Sequence, residues 1–311
     1  MNSARETAVP LHQPARVEGQ RRLAPGTYLL RLSVPQFPQT HPGQFVMLRV
    51  TDAGDPLLGR AMAVYRVARR RGRVVIEIVY RMIGRGTRLL AEAEPGRTLW
   101  LLGPLGRPFP PPPAGARPLL AGGGTGIASL HLLAARLLAR GRAAKGPRAA
   151  EALTVLVGAR TRREVLCRAD FAALGARVLV ATDDGTQGKR GFVTALLEET
   201  LAEGERRGRP AGIVYACGPT PMMEAAWRIC ERAGVACRVS LEGPMACGFG
   251  VCLGCAVPCR VADPQAPVRS PRDRFKLVCT DGPVFDASTL AWGWDVPQRS
   301  AAAGPAGGTP A

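Results

Sequence analysis

Amines, imidazoles and large aromatic rings are all scarce in these 311 residues. Only three lysines (Lys145, Lys189, Lys276) and three histidines (His12, His41, His131) occur, and Phe, Trp and Tyr together make up 5% of the chain. The histidines lie far from one another and from the cysteines in sequence, so they offer no metal-ligand spacing. The few rings do not alternate with Arg or Lys, which leaves no stacking platform for unpaired bases and argues against a nucleic-acid partner. No apolar run approaches the ~18 residues of a membrane span, so no membrane segment is expected. Met1 to Gln20 carries Arg5, Glu6, Pro10, Pro14 and Arg16 without a continuous apolar stretch. No secretory leader is therefore expected, and the chain is assigned to the cytoplasm.

Hydrophobic residues make up 46% of the chain, enough for sizeable cores, and the length suits two domains with a smaller unit appended. The formal net charge of +18 is unevenly spread: residues 1–150 hold 23 Lys+Arg against 7 Asp+Glu, whereas residues 151–311 hold 19 against 17. An excess built almost wholly of arginine, in an Ala-, Gly- and Pro-rich chain, matches the composition of a GC-rich genome. The basic half would also suit a polyanionic cofactor or an acidic partner protein.

From Ala15 to Trp100 the chain reads as short strands between turns. Thr27–Leu32, Gln44–Val50 and Val74–Tyr80 are β-rich, and Pro42-Gly43 and Pro95-Gly96 punctuate them. A small antiparallel barrel fits residues 15–113 after a tail at 1–14, and the five prolines of Pro108–Pro113 read as a linker. Residues 114–238 then alternate strand and helix. Strands are expected at Pro118–Ala121, Leu153–Val157, Val178–Ala181 and Gly212–Ala216. Helices are expected at Ile127–Leu138, Arg163–Leu174, Val193–Ala202 and Pro221–Ala233. That alternation implies a doubly wound parallel sheet. A cysteine-rich module over residues 239–295 follows, opening on a last strand at Val239–Leu241, and residues 296–311 read as a disordered tail.

Nine cysteines occur, and five of them (Cys247, Cys252, Cys255, Cys259, Cys279) crowd the last module. In a reducing compartment such crowding points to metal rather than disulfides. Cys247, Cys252 and Cys255 follow C-x4-C-x2-C, the plant-type 2Fe-2S spacing. Gly248, Gly250 and Gly254 let the loop curl and turn its N–H groups towards sulfur. Cys279 is the expected fourth ligand, with Cys259 as the alternative. A four-thiolate zinc site is the minority reading, because zinc usually draws on two close C-x2-4-C pairs and only one is present.

Two further motifs carry chemistry. Gly122, Gly123, Gly124, Thr125 and Gly126 lie between a strand and a helix, where a backbone without side chains can approach a pyrophosphate. Cys217 and Gly218 lie at the end of a later strand, where ligands of such sheets bind; the plain alternatives are a tight turn and a buried free thiol. Asp183 and Asp184 read as turn formers without a catalytic role. Arg160 and Arg162 lie where a 2′-phosphate could be met, although arginines are too common in this chain to decide NAD against NADP. In the barrel, Arg60 follows Leu57-Leu58-Gly59, and Tyr80-Arg81 precede Gly84-Arg85-Gly86-Thr87.

Together these stretches, with Leu102–Gly106, Ala181–Gly185, Ala216–Pro219, Ser240-Leu241-Glu242 and Met245–Gly248, resemble the electron-transfer subunits of two-subunit, NAD-dependent dihydroorotate dehydrogenases, within the ferredoxin-reductase-like flavoproteins. The resemblance implies an antiparallel FAD-binding β-barrel, a doubly wound nicotinamide-binding domain and a small C-terminal 2Fe-2S module. It places FAD on Arg60, Ala61, Met62, Ala63, Val79, Tyr80, Arg81, Gly86 and Thr87. It implies an FMN-containing catalytic partner in a heterotetramer with two copies of each subunit, and a one-electron relay between two flavins that ends on NAD⁺. Proton abstraction from substrate would belong to the partner, so no catalytic residue is expected in this chain. The family's usual Arg-Pro-x-Ser stands here as Arg60-Ala61-Met62-Ala63, which removes a hydroxyl worth about 1 kcal/mol to flavin binding. The small subunits of ferredoxin:NADP oxidoreductases or sulfide dehydrogenases are similar, but typically begin the cluster loop with aspartate where this chain has Cys247. A zinc-bearing regulatory module with a vestigial flavin site is the reading of a different kind.

Overall fold

The computed structural model describes residues 9–51, 54–70, 72–143, 153–261 and 270–293. Seven strands form the first sheet: β1 (Leu11–Ala24), β2 (Thr27–Val34), β3 (Phe45–Arg49), β4 (Arg60–Ala63), β5 (Arg66–Arg70), β6 (Arg73–Arg81) and β7 (Thr98–Leu105). Every pairing is antiparallel, in the order β4-β3-β7-β1-β2-β6-β5. The sheet rolls shut where the Tyr65 N–H donates to the Glu77 carbonyl at 2.9 Å and the Val64 N–H to Gln44 at 3.2 Å. Leu30, Leu32, Leu48, Ile76, Ile78 and Leu101 fill the interior with no exposed surface. The barrel is as expected, but its first strand begins at Leu11, inside the segment read as a tail. Pro14 disguises that strand. It lies beyond the stretch paired with β2, which starts at Arg16, and it faces Trp100 of β7 instead. Gly84–Thr87 opens a short helix α1 (Arg85–Ala91).

The second sheet holds β8 (Pro118–Gly123), β9 (Thr154–Ala159), β10 (Arg177–Thr182), β11 (Lys189–Arg190), β12 (Ile213–Cys217) and β13 (Ala236–Ser240), all parallel in the order β11-β10-β9-β8-β12-β13. The order reverses between β8 and β12, the switch point at which such sheets bind ligands. The expected helix at Ile127–Leu138 is broken at Leu130 into α2 (Gly126–Ser129) and α3 (His131–Ala143). The one expected at Arg163–Leu174 contracts to a 3₁₀ turn, Arg162–Glu164, followed by α4 (Arg168–Ala173). Helices α5 (Val193–Arg206) and α6 (Thr220–Arg232) stand as read, α5 one turn longer. The polyproline segment is not a free linker: Phe109 is buried edge-on against Tyr215, whose hydroxyl donates to the Pro110 carbonyl at 2.9 Å.

The cysteine module adds β14 (Ala256–Pro258) and β15 (Phe275–Leu277), paired with each other, and β16 (Val284–Asp286), which joins the parallel sheet antiparallel to β13. The tail expected at 296–311 lies outside the described residues.

The barrel and the parallel sheet also meet through a polar bridge. Tyr65, 2% exposed, donates its hydroxyl to Asp170 Oδ2 at 2.8 Å, and Arg66 Nη2 pairs with Asp170 Oδ1 at 2.6 Å. His131 packs on the Tyr65 ring, and burial together with the Arg66 charge lowers its pKa to about 4, so it is neutral near pH 7. Burial disfavours the Asp170 carboxylate, but the bonds from Arg66 and Tyr65 outweigh it and hold its pKa below the ordinary value. A depressed carboxylate stabilises the fold in full above its unfolded pKa, and that contribution fades as pH falls through the lower folded value. Asp170→Ala is expected to cost about 1–2 kcal/mol in urea unfolding at pH 7, less than a fully buried pair because both partners keep over a third of their exposure. The difference from wild type should shrink below the ordinary carboxylate pKa.

Candidate functional site

Three loops define the site. At the switch point, Gly122 of β8 lies beside Cys217 of β12, and close backbone approach builds the crevice. A Cβ on Gly126 would lie 2.6 Å from the Gly218 nitrogen, and one on Gly122 would lie 2.7 Å from the Ile127 Cα. Gly123 and Gly218 both rest on the Met222 sulfur, and Gly124 turns the chain at φ +56°. The structure thus brings Gly122–Gly126 and Cys217-Gly218 together, as the sequence suggested. Cys217 is fully buried, with Sγ 3.3 Å from the Ser240 carbonyl and 3.9 Å from Glu242 Oε1. Burial and the Glu242 charge push its thiol up, so it is a neutral thiol at the crevice floor. Asp184 accepts from the Thr186 N–H and hydroxyl, the turn-forming role expected of it. Arg160 is engaged by Glu164 through two hydrogen bonds.

On the barrel, the Arg60 guanidinium lies directly against Gly86, in space that any Cβ there would occupy. The start of β4 and the start of α1 are therefore one location. Thr87 Oγ1 pins the turn by accepting from the Ile83 and Gly84 N–H groups. Strand β5 pairs with β6 only from Glu77 back to Arg73, so Val79, Tyr80 and Arg81 keep that backbone edge unpaired among the described strands. Arg60–Ala63, this edge and Gly86-Thr87 form a cradle that can accept a flavin by its backbone. The Tyr80 side chain is otherwise committed: it is buried, stacks on Tyr28, and donates its hydroxyl to Gln20 at 2.6 Å. Ala61 and Ala63 keep β4 in register with Met47 and Phe45 without the proline and serine.

The cysteine loop completes the site. Cys255 and Cys279 place their sulfurs 3.3 Å apart, Cys247 bonds through its side chain with Cys252, and the charge of Cys247 acts on Cys279. Partial burial opposes the Cys247 thiolate, but N–H groups of Cys252, Phe249 and Val251 outweigh it and bring the pKa to about 6. Burial, the bond to Cys255 and like charges on Cys255 and Cys247 push Cys279 up to about 12, against the Gly250 N–H. Thiols that obstruct one another's ionisation in this way are relieved by a cationic centre. Among the described residues no three Cys, His, Asp or Glu close on one point as a single-ion site requires. Two thiol pairs fit a two-iron cluster better than one zinc. Cys259 stands apart, its Sγ facing the Val257 carbonyl at 3.9 Å. Leu253 holds φ +58°, a left-handed backbone for a bulky residue that the loop imposes. Sequence reasoning missed one neighbour: His12 and Trp100, stacked at 5.0 Å, share the wall of a cavity of about 130 Å³ with Ala246 and Cys247. No sequence spacing could have revealed that pairing.

The cysteine loop also comes close to the Arg60–Ala63 cradle, through β3. A Cβ on Gly248 (φ +85°) would lie 2.5 Å from Met47 Cγ, and Met47 is the cross-strand neighbour of Ala61. The cysteine loop thus packs on β3, the strand that pairs with β4.

A flavin-type barrel, a glycine turn at the switch point of a parallel sheet and a ferredoxin-spaced thiol loop define an iron–sulfur flavoprotein oxidoreductase of the ferredoxin-reductase kind. Residues 242–291 match the iron–sulfur cluster binding domain of dihydroorotate dehydrogenase B, and residues 120–228 match the oxidoreductase NAD-binding domain. The chain is 39% identical over 278 residues to the electron transfer subunit of dihydroorotate dehydrogenase B (NAD(+)) from Geobacillus thermodenitrificans, covering 88% of this chain and 96% of that one. It is 40% identical over 280 residues to the Bacillus caldolyticus subunit, with the same coverage. Among solved structures it resembles an NADH-dependent reduced ferredoxin-NADP oxidoreductase (TM-score 0.71, 26% identity, 93% and 91% of the two chains). A Neisseria gonorrhoeae ferredoxin NADP+ reductase with bound FAD and NADP shares the fold (TM-score 0.56, 18% identity, 72% and 92% coverage). The chain belongs to the family of electron transfer subunits of dihydroorotate dehydrogenase B.

Two substitutions check the site. Cys279→Ser should lower iron and acid-labile sulfide per chain severalfold, while Cys259→Ser should leave both near two; the reverse result would exchange the two residues' roles. Ala63→Ser, which restores a hydroxyl beside the cradle, should tighten FAD about fivefold in equilibrium titration, equivalent to about 1 kcal/mol.

Proposed function

We propose that this chain carries electrons from an FMN-containing dihydroorotate dehydrogenase catalytic subunit to NAD⁺, using a 2Fe-2S cluster on Cys247, Cys252, Cys255 and Cys279 and FAD in the Arg60–Ala63 cradle. The observation that supports this reading is the contact of the cysteine loop with Met47, the cross-strand neighbour of Ala61, which would set the cluster and the flavin on either side of one side chain. When bound, the cluster supplies one-electron exchange and FAD converts single electrons to hydride. The chain's own contribution is positional. N–H groups of the curled loop favour thiolates, Arg60 sets a positive charge at the cradle, and glycines at 122, 123, 126 and 218 clear the backbone for a nicotinamide dinucleotide. Proton abstraction from the organic substrate is assigned to the partner subunit.

The partner is proposed to dock over the cysteine loop. Phe249, Val251 and Leu253 are 53%, 73% and 58% exposed around the solvent-facing Cys252. Apolar side chains displayed around a thiol ligand suit a covering protein and are wasteful in water. A heterotetramer with two copies of each subunit follows from the family likeness. Among the described residues no helix is long and apolar enough to cross a membrane.

Anaerobic purification with iron, acid-labile sulfide, zinc and flavin quantified per chain tests the reading. About two iron, two sulfide and one FAD, bleached by NADH, are expected. Zinc without sulfide or flavin would restore the regulatory-module reading. Phe249→Asp should abolish co-purification with the catalytic subunit while leaving FAD and iron content intact.

A further inference from the structure

The parallel sheet presents its glycine turns at one end. At the opposite end, the strand starts are lined with cations. Arg117 directly precedes β8, Thr154 opens β9 and Arg177 opens β10. Glu203 and Gly204 form the last turn of α5, and Arg207 and Arg209 lie in its connection to β12. These residues, with Thr200, surround a cavity of about 90 Å³, room for about three waters or one tetrahedral oxyanion.

Among the described residues, four arginines and one carboxylate, Glu203, line this space; Glu203 is tied to Arg207 at 2.7 Å, and Arg209 has a partner of its own. Arg117 is the telling member. Its Nε is buried and has no hydrogen-bond partner, although buried guanidinium donors are ordinarily satisfied. Its guanidinium is admitted by a missing side chain: a Cβ on Gly204 would lie 2.6 Å from Nη2. An arginine-rich composition explains cations on the surface, but it does not explain a sheltered donor held without an acceptor beside a cavity. Cations at the end of α5 also complement the helix dipole, which accounts for Arg206 and Arg207 and leaves the Arg117 Nε unanswered.

We propose that this cavity is an anion site, separate from the nicotinamide crevice, that takes one phosphoryl group, as free phosphate or as the phosphate of a small monoester. Guanidinium forks match phosphate oxygens in geometry and charge, and the Arg117 Nε would gain the acceptor it lacks. The site bridges the starts of three strands and the end of α5, so an occupant ties the base of the nicotinamide domain together.

The test uses the full chain with its cofactors and saturating NAD⁺, so that the glycine loop is filled. Thermal unfolding is compared in phosphate, ribose 5-phosphate, sulfate and chloride at equal ionic strength. Phosphate is expected to raise Tm by about 2 °C or more over chloride. A matching rise with ribose 5-phosphate identifies a monoester-accepting site, and a rise with phosphate alone identifies a site for the free ion. Arg117→Gln should remove most of the rise, and so should Arg177→Gln, whose exposed strand-start position leaves folding intact. Equal Tm values in phosphate and chloride, or a rise kept by both variants, would overturn the proposal.

Discussion

The arrangement depends on how the cysteine loop is held at both ends. One end leaves β13 at Ser240, and the other returns through Cys279 to β16, which pairs back onto β13 with Ser240 facing Val284. The loop is therefore a closed excursion from the edge of the parallel sheet, and it crosses the barrel at Met47. Phe45, Met47 and Leu105 of the barrel share one buried cluster with Leu241, Cys255, Cys279 and the interior of the parallel sheet. A single core thus fixes three functional layers, and none can shift far without opening apolar surface to water.

Glycines set the spacing between those layers. Gly248 brings the thiol loop onto Met47, and Gly126 brings the dinucleotide turn onto the Cys217-Gly218 backbone. At each position the clearance is smaller than a methyl group permits. The same economy acts at Gly86, where the absent side chain makes room for Arg60. Charge is placed with similar restraint: the N–H groups of the thiol loop and the guanidinium of Arg60 stand where anionic groups would rest, while Cys217 stays neutral through burial.

Much of this was legible in the sequence because its signals are local. The spacing of Cys247, Cys252 and Cys255, the glycine run at 122–126 and the alternation of strand and helix each depend on a few neighbouring residues, and the structure keeps them all. What escaped was non-local. The strand from Leu11 is stabilised by partners near Ser33 and Leu102, which outweigh its proline, Pro14. The helix expected from Ile127 breaks at Leu130 to seat His131 against Tyr65 of the barrel, a contact between residues 66 positions apart. Cys259 and Cys279 both satisfy simple spacing rules, and what the sequence could not show is that the Cys279 sulfur packs 3.3 Å from that of Cys255. Arg-Ala-Met-Ala looked like a weakened motif, yet its strand register is intact, so the departure affects a hydroxyl and not the architecture.

The unequal burial of the four thiols has a consequence for how the protein is made. Cys252 faces solvent and Cys247 is half covered, whereas Cys255 and Cys279 are 5% and 2% exposed. An inorganic centre can reach the outer pair from solvent, whereas the inner pair lies in the core shared with the parallel sheet. Maturation is thus tied to the order of synthesis. Cys279 leaves the ribosome only a few residues before β16, the strand that ties the loop back to β13, so filling the inner pair and completing the fold fall close together in time. A chain that completes the fold first would bury its two inner thiols unligated.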